Sequence, residues 1–328
     1  MIYENNSNIY ESPLAQKAYD SVFSLGEACL GATNLKASLL REYSCPFDWI
    51  AGGSFEQRID ILLNNFNGYF EKDKLELRQN LQNIQYIPSR YFFNKENGIH
   101  FIHDFPPENL FNMDNYYPFT KKKYDRRINR LLNTLNTKNL NILCVYIQLN
   151  ITKISNDEII SLHDKLKQKF NANIDMLFIR NEPSFRMDEL TLEVLSQNTF
   201  IANLNNKSIR DYDGNSRTLG LLLDNINTKK LLQIKQSSSK DTLYIYGCGG
   251  IGKAIAGRLA LRNIGLSGFI VSDGFNISHT DLGKTYHLKK LPIPYSQATV
   301  IFGLNRENMN AVKEYLQKNG IKFGFEYY

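Results

Sequence analysis

Cys29 lies where the residue pattern changes from that of a strand to that of a helix. The apolar residues Val22, Phe23 and Leu25 predict a short buried strand, and Gly26 permits a sharp turn. Beyond the turn, apolar residues recur at helical spacing, which places Cys29 in the first turn of a predicted helix. Backbone N–H groups at a helix start favour a thiolate and can hold an oxyanion beside it. This position suits a nucleophile, and equally a small buried cysteine that packs a strand–helix junction.

A glycine motif near the C-terminus is the second pattern that could bind a reactant. Gly247, Gly249 and Gly252, with Gly250 between the last two, follow an apolar strand pattern and open a helical one. In that context glycines let the backbone approach a phosphate at the helix start. Asp273 ends the next predicted strand about 21 residues later, where a carboxylate can accept from ribose hydroxyls. The module spans about 85 residues, roughly half of a full dinucleotide domain, so a mononucleotide or nucleotide-linked sugar fits better than a nicotinamide cofactor. A purely structural glycine motif is the open alternative.

Length and composition limit the classes of protein to consider. The 328 residues suffice for two domains, and the hydrophobic fraction of 42% is ordinary for a globular chain. No 18-residue apolar run predicts a membrane span, and the polar start lacks a signal-peptide layout, so we expect a cytoplasmic protein. A net charge of +6 is mild and does not favour nucleic-acid binding. The four cysteines lack metal-ligand spacing and are expected to be free thiols, and no metal site is predicted.

The remaining patterns place these residues in an α/β fold. Strands predicted at 142–149, 174–179 and 200–204 alternate with helices at 157–170 and 187–195, which indicates a mostly parallel sheet with flanking helices. A β-hairpin over 91–104 and a basic amphipathic helix over 121–136 precede them. Near the C-terminus, strands at 243–246, 268–272, 299–302 and 322–326 predict a small Rossmann-like βαβ domain. We therefore expect a catalytic domain over residues 1–235 and a nucleotide- or nucleotide-sugar-binding domain over 236–328.

Three segments of the first region resemble a bacterial family described as papain-like cysteine peptidases. They are Ser-Leu-Gly-Glu-Ala-Cys at 24–29, Leu-Arg-Glu-Tyr-Ser-Cys-Pro-Phe-Asp-Trp at 40–49, and Ile-His-Asp-Phe at 102–105. The resemblance covers roughly residues 20–180 and implies a Cys/His enzyme without identifying a substrate. The C-terminal module resembles the nucleotide-sugar-binding domain of bacterial acyltransferases that modify surface sugars. That likeness implies a setting in capsule or lipooligosaccharide synthesis.

The family pattern requires a thiolate, a base and a group that orients the base. Cys29 is the predicted nucleophile. His103 is the preferred base, because it ends the second hairpin arm just before Asp104 and a chain break at Pro106-Pro107; His100 is the reserve candidate. Either Asp48 or Asp104 could orient the imidazole. For Asp48, a turn residue that caps the next segment is an equal alternative.

Four residues are assigned to substrate contact, each beside a structural alternative. Ser24 and Gly26 belong to the turn that precedes Cys29. Arg41 could bind a carboxylate or phosphate, or form a surface salt bridge. Trp49, the single tryptophan, could form a substrate platform or part of the core. The basic helix at 121–136 is expected to be a solvated face, with an anionic polymer or coenzyme phosphate as the other interpretation.

Several functions are compatible with these residues. The first is a cysteine-dependent acyl or related group transferase in surface-polysaccharide synthesis, acting on a small-molecule or glycan substrate. A hydrolase, either amidase or peptidase, would use the same Cys–His pair with water as acceptor. A non-catalytic nucleotide-sugar-binding scaffold and a nicotinamide-dependent oxidoreductase are further alternatives. No cofactor is assigned; a nucleotide-sugar and coenzyme A are the candidates, and a homo-oligomer is an open expectation.

Overall fold

The computed structural model of the chain describes residues 2–4, 9–79, 90–104, 113–207, 214–274, 282–304, 306–318 and 320–326. Two compact units are present. The first comprises Met1–Ala37 and Ser44–Ile226, and the second comprises Ser38–Tyr43 and Asn227–Tyr328. The chain therefore enters the second unit briefly between residues 38 and 43 before it returns to the first. The Pro106-Pro107 chain break and Phe105 lie outside the described residues.

The first unit combines a large mixed sheet with a smaller antiparallel one. Its helices and strands, in chain order, are β1 (Ile2–Glu4), α1 (Pro13–Gln16), β2 (Ala18–Tyr19), β3 (Ser21–Ser24), α2 (Leu30–Ala37), β4 (Ala51–Gly52), α3 (Phe55–Leu63), β5 (Leu75–Gln79), β6 (Arg90–Asn94), β7 (Ile99–Phe101), α4 (Met113–Asn136), β8 (Asn141–Ile147), α5 (Asn156–Lys169), β9 (Asn173–Asn181), β10 (Leu190–Ser196), β11 (Thr199–Leu204) and α6 (Ser216–Leu223).

The large sheet has the strand order β1-β10-β11-β9-β8-β3. Strands β11, β9, β8 and β3 run parallel to one another, whereas β10 and β1 are antiparallel additions at one edge. Every residue from Ile142 to Ile147 in β8 is buried, as expected of a central parallel strand covered on both faces. The α/β class with a mostly parallel sheet is thus confirmed. The loops that follow β3, β8 and β9 meet at one edge, where parallel α/β sheets bind ligands.

The helix predicted at 187–195 is wrong, because this segment forms strand β10. Leu190 and Leu192 are buried, while Thr191 and Glu193 between them are half-buried, a repeat of two residues that belongs to a strand. β10 pairs antiparallel with β11 through a tight connection, so no crossover helix is needed between β9 and β11.

The antiparallel sheet has the order β4-β7-β6-β5 and contains the predicted hairpin. Phe93 of β6 pairs with His100 of β7, and Gly98 in the connecting turn has a φ of +70°. His103 and Asp104 lie beyond the end of β7 instead of ending it as predicted. Helix α4 begins at Met113, earlier than the predicted start at residue 121, and it includes Pro118.

The second unit is built on a parallel sheet with the strand order β15-β14-β13-β16-β17. Its elements are β12 (Asn227–Thr228), α7 (Lys229–Ser238), β13 (Leu243–Tyr246), α8 (Gly250–Leu261), β14 (Gly268–Val271), β15 (Thr285–His287), β16 (Thr299–Phe302), α9 (Arg306–Lys318) and β17 (Lys322–Glu326). All four strand pairs are parallel, and the order reverses next to β13, as in one half of a Rossmann fold. Strand β15 escapes the sequence prediction, and the predicted boundary between residues 235 and 236 falls inside α7.

Two apolar clusters form the core of the second unit. Ile245 and Leu259 lie in one cluster, which also contains Leu39 from the segment Ser38–Tyr43. Tyr246 and Leu316 lie in the other. In the part of the chain that the structure describes, no helix combines the length and apolar character needed to cross a bilayer.

Candidate active site

Cys29 and His103 meet in the first unit. The Sγ atom of Cys29 lies 2.9 Å from Nε2 of His103. Cys29 comes from the segment after β3 of the large sheet, and His103 from the segment after β7 of the small one. Two residues separated by 74 positions are thereby in hydrogen-bond contact; their catalytic roles stay predictions. The reserve base His100 instead stacks on Tyr91, with 5.2 Å between ring centroids.

A tight turn after β3 places Cys29 at the start of α2. Gly26 and Ala28 both adopt left-handed backbone conformations, with φ of +51° and +53°. For the non-glycine Ala28 this conformation costs roughly 1–2 kcal/mol. The carbonyl of Cys29 accepts the first helical hydrogen bond, from the Thr33 N–H at 2.9 Å. Cys29 therefore caps α2 and does not lie within its first turn as predicted.

Close packing between β3 and α2 holds this turn in place. A Cβ atom on Gly31 would lie 1.8 Å from Oγ of Ser24, so only glycine lets the helix approach the strand. Ser24 is buried beneath the helix, and its hydroxyl makes no hydrogen bond within the described residues. The assigned substrate contacts of Ser24 and Gly26 stay predictions.

Glu27 ties the Cys29 turn to the end of β8. Its Oε1 accepts from the Tyr146 hydroxyl at 2.8 Å and from Nδ2 of Asn150 at 3.0 Å. Its Oε2 accepts from the N–H groups of Leu149 at 2.5 Å and Asn150 at 3.1 Å. One carboxylate therefore joins the two loops that follow neighbouring parallel strands.

Arg58 stabilises the same turn from the buried side, by hydrogen bonds to backbone carbonyls. It is fully buried on α3, and its Nη1 donates to the Leu25 carbonyl at 2.6 Å. Nη2 donates to the Gly52 carbonyl, and Nε to that of Gly53 at 3.3 Å. The guanidinium lies over the Phe47 ring, 5.9 Å from its centroid. A buried cation with this many acceptors ties the end of β3 to β4 of the small sheet.

Asp104, one of the two candidate orienting acids, is engaged by helix α4. Its buried carboxylate accepts from Nζ of Lys123 and from the hydroxyl of Tyr124. Within the described ranges, neither this carboxylate nor that of Asp48 hydrogen-bonds to His103. Asp104 therefore acts on the imidazole through its charge and by anchoring the backbone next to it.

Asp48 and Trp49 flank the site from the segment before β4. The Oδ2 of Asp48 accepts from the Cys45 N–H at 2.8 Å, a contact of the turn-capping kind that the sequence left open. The Trp49 ring stands nearly perpendicular to the His103 ring, with centroids 6.0 Å apart. Trp49 is half-buried, so it both limits rotation of the imidazole and presents surface at the site.

Burial decides the protonation of the pair. It raises the pKa of the Cys29 thiol to about 11, and the negative charges of Asp104 and Asp48 add to the shift. Burial lowers the pKa of His103 from its ordinary 6.5, while Asp104 opposes this. Both groups are therefore neutral at pH 7. The expectation that the helix start stabilises a resting thiolate is wrong, because loss of water around the sulfur outweighs it.

In the second unit, the glycine motif contains positions that packing requires. Gly247 has a φ of +100°. A Cβ on Gly252 would lie 1.9 Å from the Gly247 carbonyl oxygen, and one on Gly303 would lie 2.6 Å from the Gly252 Cα. These three glycines let α8 approach β13 and β16, which is a purely structural role.

Gly249 and Gly250 differ, because a Cβ on either would meet nothing within 4 Å. Both are exposed at the start of α8, where Gly249 is the N-cap and offers no side chain to the helical N–H groups. That open space fits a phosphate group. Asp273 follows β14 and accepts from the Lys289 N–H at 3.2 Å, with the Lys289 ammonium 3.7 Å from its other oxygen. The residues present thus fit a nucleotide, and nucleotide binding by this module stays a prediction.

Arg41 is the remaining residue that the sequence assigned to substrate contact. Arg41 is buried and belongs to the second unit, whereas Cys29 belongs to the first. Its substrate contact stays a prediction. Within the described residues, no three His, Cys, Asp or Glu side chains gather as metal ligands would.

Glu27 and Arg58 are the positioning residues that sequence reasoning missed. Arg58 carried a signal, because it interrupts the apolar face of α3 between Phe55 and Leu62. A cation on an inward face needs several acceptors, which marks a junction between elements. Glu27 lies within the Ser-Leu-Gly-x-x-Cys segment, but its partners on β8 and the following loop are distant in sequence.

The geometry can be set beside known proteins. The family model described as "Putative papain-like cysteine peptidase (DUF1796)" matches residues 20–204, more than half of the chain. The uncharacterized protein R408 of Acanthamoeba polyphaga mimivirus is 26% identical over 226 residues, which cover 65% of this chain and 97% of the viral protein. No solved structure matches the chain significantly. With Cys29, His103 and the Pro-Phe-Asp-Trp segment all inside the matched region, the chain belongs to this papain-like cysteine peptidase family.

Proposed function

We propose that the chain is a cysteine-dependent acyl-transfer enzyme in which Cys29 is the nucleophile and His103 the base. The observation that carries the proposal is the 2.9 Å contact between Sγ and Nε2. A base within hydrogen-bond reach of a nucleophile is the geometric requirement for this chemistry. Family membership supports a cysteine-dependent reaction of this general class and identifies no substrate.

The chemistry proceeds in two halves from a neutral pair. Nε2 of His103 takes the thiol proton as Sγ of Cys29 attacks an acyl carbonyl carbon, and a C–S bond forms. The imidazolium then returns the proton to the leaving group, whose bond to the acyl carbon breaks. In the second half, His103 takes a proton from the acceptor, which attacks the thioester carbonyl. The C–S bond then breaks, and the imidazolium returns the proton to Sγ of Cys29. Because both groups are neutral at rest, the proton moves during attack and not before it.

Backbone N–H groups at the start of α2 are the oxyanion donors in this proposal. The first helical hydrogen bond is made by Thr33, so the N–H groups of Leu30, Gly31 and Ala32 precede it. They follow directly after the nucleophile in the chain. Donors aimed at the charge that develops on the carbonyl oxygen are the largest single contribution in many acyl-transfer enzymes.

A transferase and a hydrolase would differ only in the acceptor, which is water in the hydrolase. We propose that this enzyme is a transferase. The support is the second unit, where the open space beside Gly249 and Gly250 suits the phosphate of a nucleotide-linked sugar. A hydrolase of peptides or amides has no need for such a unit. Surface-polysaccharide synthesis is the setting we propose, on the likeness of this module to domains that bind nucleotide-sugars.

A non-catalytic nucleotide-sugar-binding protein is the second candidate, favoured by one observation. Cys29 is only 8% exposed, so its thiol reaches solvent poorly before a substrate binds. In this alternative, Cys29 and His103 would be a buried hydrogen-bonded pair without turnover.

Acylation by p-nitrophenyl acetate separates the two. The native protein should release p-nitrophenol and carry one acetyl group on Cys29, identified by peptide mass mapping. Cys29→Ser and His103→Ala should lose both signals, whereas Cys248→Ala, which removes the half-buried thiol, should keep them. Undiminished turnover in Cys29→Ser, or no acetyl group on Cys29 in the native protein, would refute the proposed function.

A further inference from the structure

A cavity of about 700 Å³ opens at the carboxyl ends of β8 and β9 in the first unit. One wall is the loop between β8 and α5 with the start of α5, and the other is the end of β9 with the segment that follows it. The polar and charged side chains of the lining include Gln148, Lys153, Arg180, Asn181 and Glu182. This volume lies within the range of small-molecule sites, and the edge is the one where parallel α/β sheets bind ligands.

The wall of the cavity is held rigid by amide side chains. Gln148 is buried and donates to the Thr152 carbonyl at 2.6 Å, while its own oxygen accepts from the Asn181 N–H at 3.3 Å. Nδ2 of Asn181 donates to the Leu149 carbonyl at 2.5 Å, and buried Asn206 donates to the Gln148 carbonyl at 2.7 Å. A loop cross-linked in this way does not need to be ordered by a ligand, which lowers the cost of binding.

Arg180 presents an unfilled hydrogen-bonding edge to this cavity. Its Nη2 donates to the Ile154 carbonyl at 2.9 Å and to Oδ1 of Asn156 at 3.0 Å, which fixes the guanidinium. Its Nε and Nη1 make no hydrogen bond within the described residues. A fixed guanidinium with a free edge matches the two oxygens of a carboxylate or phosphate.

The carboxylates of Glu193 and Glu182 interact electrostatically with Arg180, but neither hydrogen-bonds to its guanidinium within the described residues. Glu182 turns its carboxylate to the Ser184 hydroxyl at 2.7 Å, and Glu158 is exposed on the first turn of α5. Lys153 adds a second cation to the lining.

The cavity lies beside the Cys29 turn. Glu27, two positions before Cys29, holds Leu149 and Asn150, and these two residues separate the lining residues Gln148 and Ile151. From this juxtaposition we propose that the cavity binds the oxyanion, carboxylate or phosphate, of the small organic substrate whose acyl group reacts at Cys29. The link to Cys29 rests on the proposed function; the anion site does not.

Titration with inorganic phosphate and with glutarate, followed by calorimetry, tests the site without turnover. Either anion should bind saturably, and the tighter one identifies the source of the oxyanion. Arg180→Gln should weaken binding by about 10- to 100-fold, the loss expected of a charged hydrogen-bond pair. Lys153→Gln, on an exposed side chain that folding does not need, should weaken it severalfold. Arg186→Gln, an exposed arginine outside the cavity, and Cys29→Ser should bind within twofold of the native chain.

The inference would be overturned if neither anion bound saturably. It would also be overturned if Arg180→Gln and Lys153→Gln both bound the anion as tightly as the native chain does. The acylation assay on the same variants separates the two proposals. Loss of acylation in Cys29→Ser with unaltered anion binding in Arg180→Gln removes the cavity site and leaves the proposed function. Retained turnover in Cys29→Ser with anion binding lost in Arg180→Gln removes the proposed function and leaves the anion site.

Discussion

Alkylation of Cys29 by iodoacetamide should accelerate by about tenfold per pH unit from neutrality up to about pH 11. The reason is the raised pKa of its thiol, about 11 as a result of burial and of the nearby carboxylates. At pH 7.5 this leaves about 0.03% thiolate, against about 10% for a free cysteine with a pKa of about 8.5. That is a deficit of about 300-fold.

Two effects then set the observed rate. A more basic thiolate is the stronger nucleophile, which returns about tenfold at a Brønsted slope of about 0.45. We therefore expect Cys29 to react about 30-fold more slowly at pH 7.5 than an unhindered peptide cysteine whose pKa is about 8.5, before any steric loss. His103→Ala should change this rate by less than about threefold, because the imidazole of a neutral pair does not hold a preformed thiolate.

The rate is measured on Cys29 itself by peptide mass mapping over pH 5–10. The same four thiols in urea give the unfolded reference. A rate that is flat between pH 5 and pH 8 and falls sharply in His103→Ala would reveal a thiolate–imidazolium pair at rest. That result would refute the argument that burial controls the protonation of Cys29.

Three further outcomes follow from contacts in the two units. Burial lowers the pKa of His163 to about 4. As the pH falls from 6.5 to 4, only the unfolded chain takes up a proton at this residue, so the free energy of unfolding should fall by up to about 3 kcal/mol. Urea unfolding of His163→Gln should show a flatter pH dependence. Arg58→Ala should lower the free energy of unfolding by about 3 kcal/mol, since three carbonyls lose their donor, and a loss under 1 kcal/mol would contradict the role given to it. Gly252→Ala should unfold at a lower temperature because its Cβ would meet the Gly247 carbonyl, whereas Gly249→Ala should keep the melting temperature but weaken UDP-glucose binding; equal melting in both variants would contradict this division.

Local patterns predicted much of the fold where neighbours in sequence are also neighbours in space. The strands at 243–246 and 299–302 have the predicted bounds, because each is a short apolar run between turns. The strand at 322–326 also has its predicted bounds. The helix at 187–195 failed because strong helix formers such as Leu and Glu fill a strand whose alternation is short. There, pairing with β11 outweighs intrinsic propensity.

The candidate site was predictable in its residue types and not in its energetics. Cys29 and His103 could be chosen from motif position, and they are in contact. The protonation of the pair could not be predicted, because it depends on how much protein surrounds the sulfur. The positioning roles of Glu27 and Arg58 could not be predicted for a related reason. Both depend on carbonyls and N–H groups that only the fold brings together.

The excursion of Ser38–Tyr43 into the second unit makes the two halves of this protein interdependent. Leu39 fills the apolar interior formed by Ile245 and Leu259, although it lies inside the family-matched stretch that ends at residue 204. A gene fragment cut after the matched stretch would leave this leucine without its neighbours, and the C-terminal fragment with a hole. The two units therefore cannot be exchanged by a single cut in the sequence. A chimera between relatives would have to transfer residues 38–43 together with the C-terminal part of the second unit.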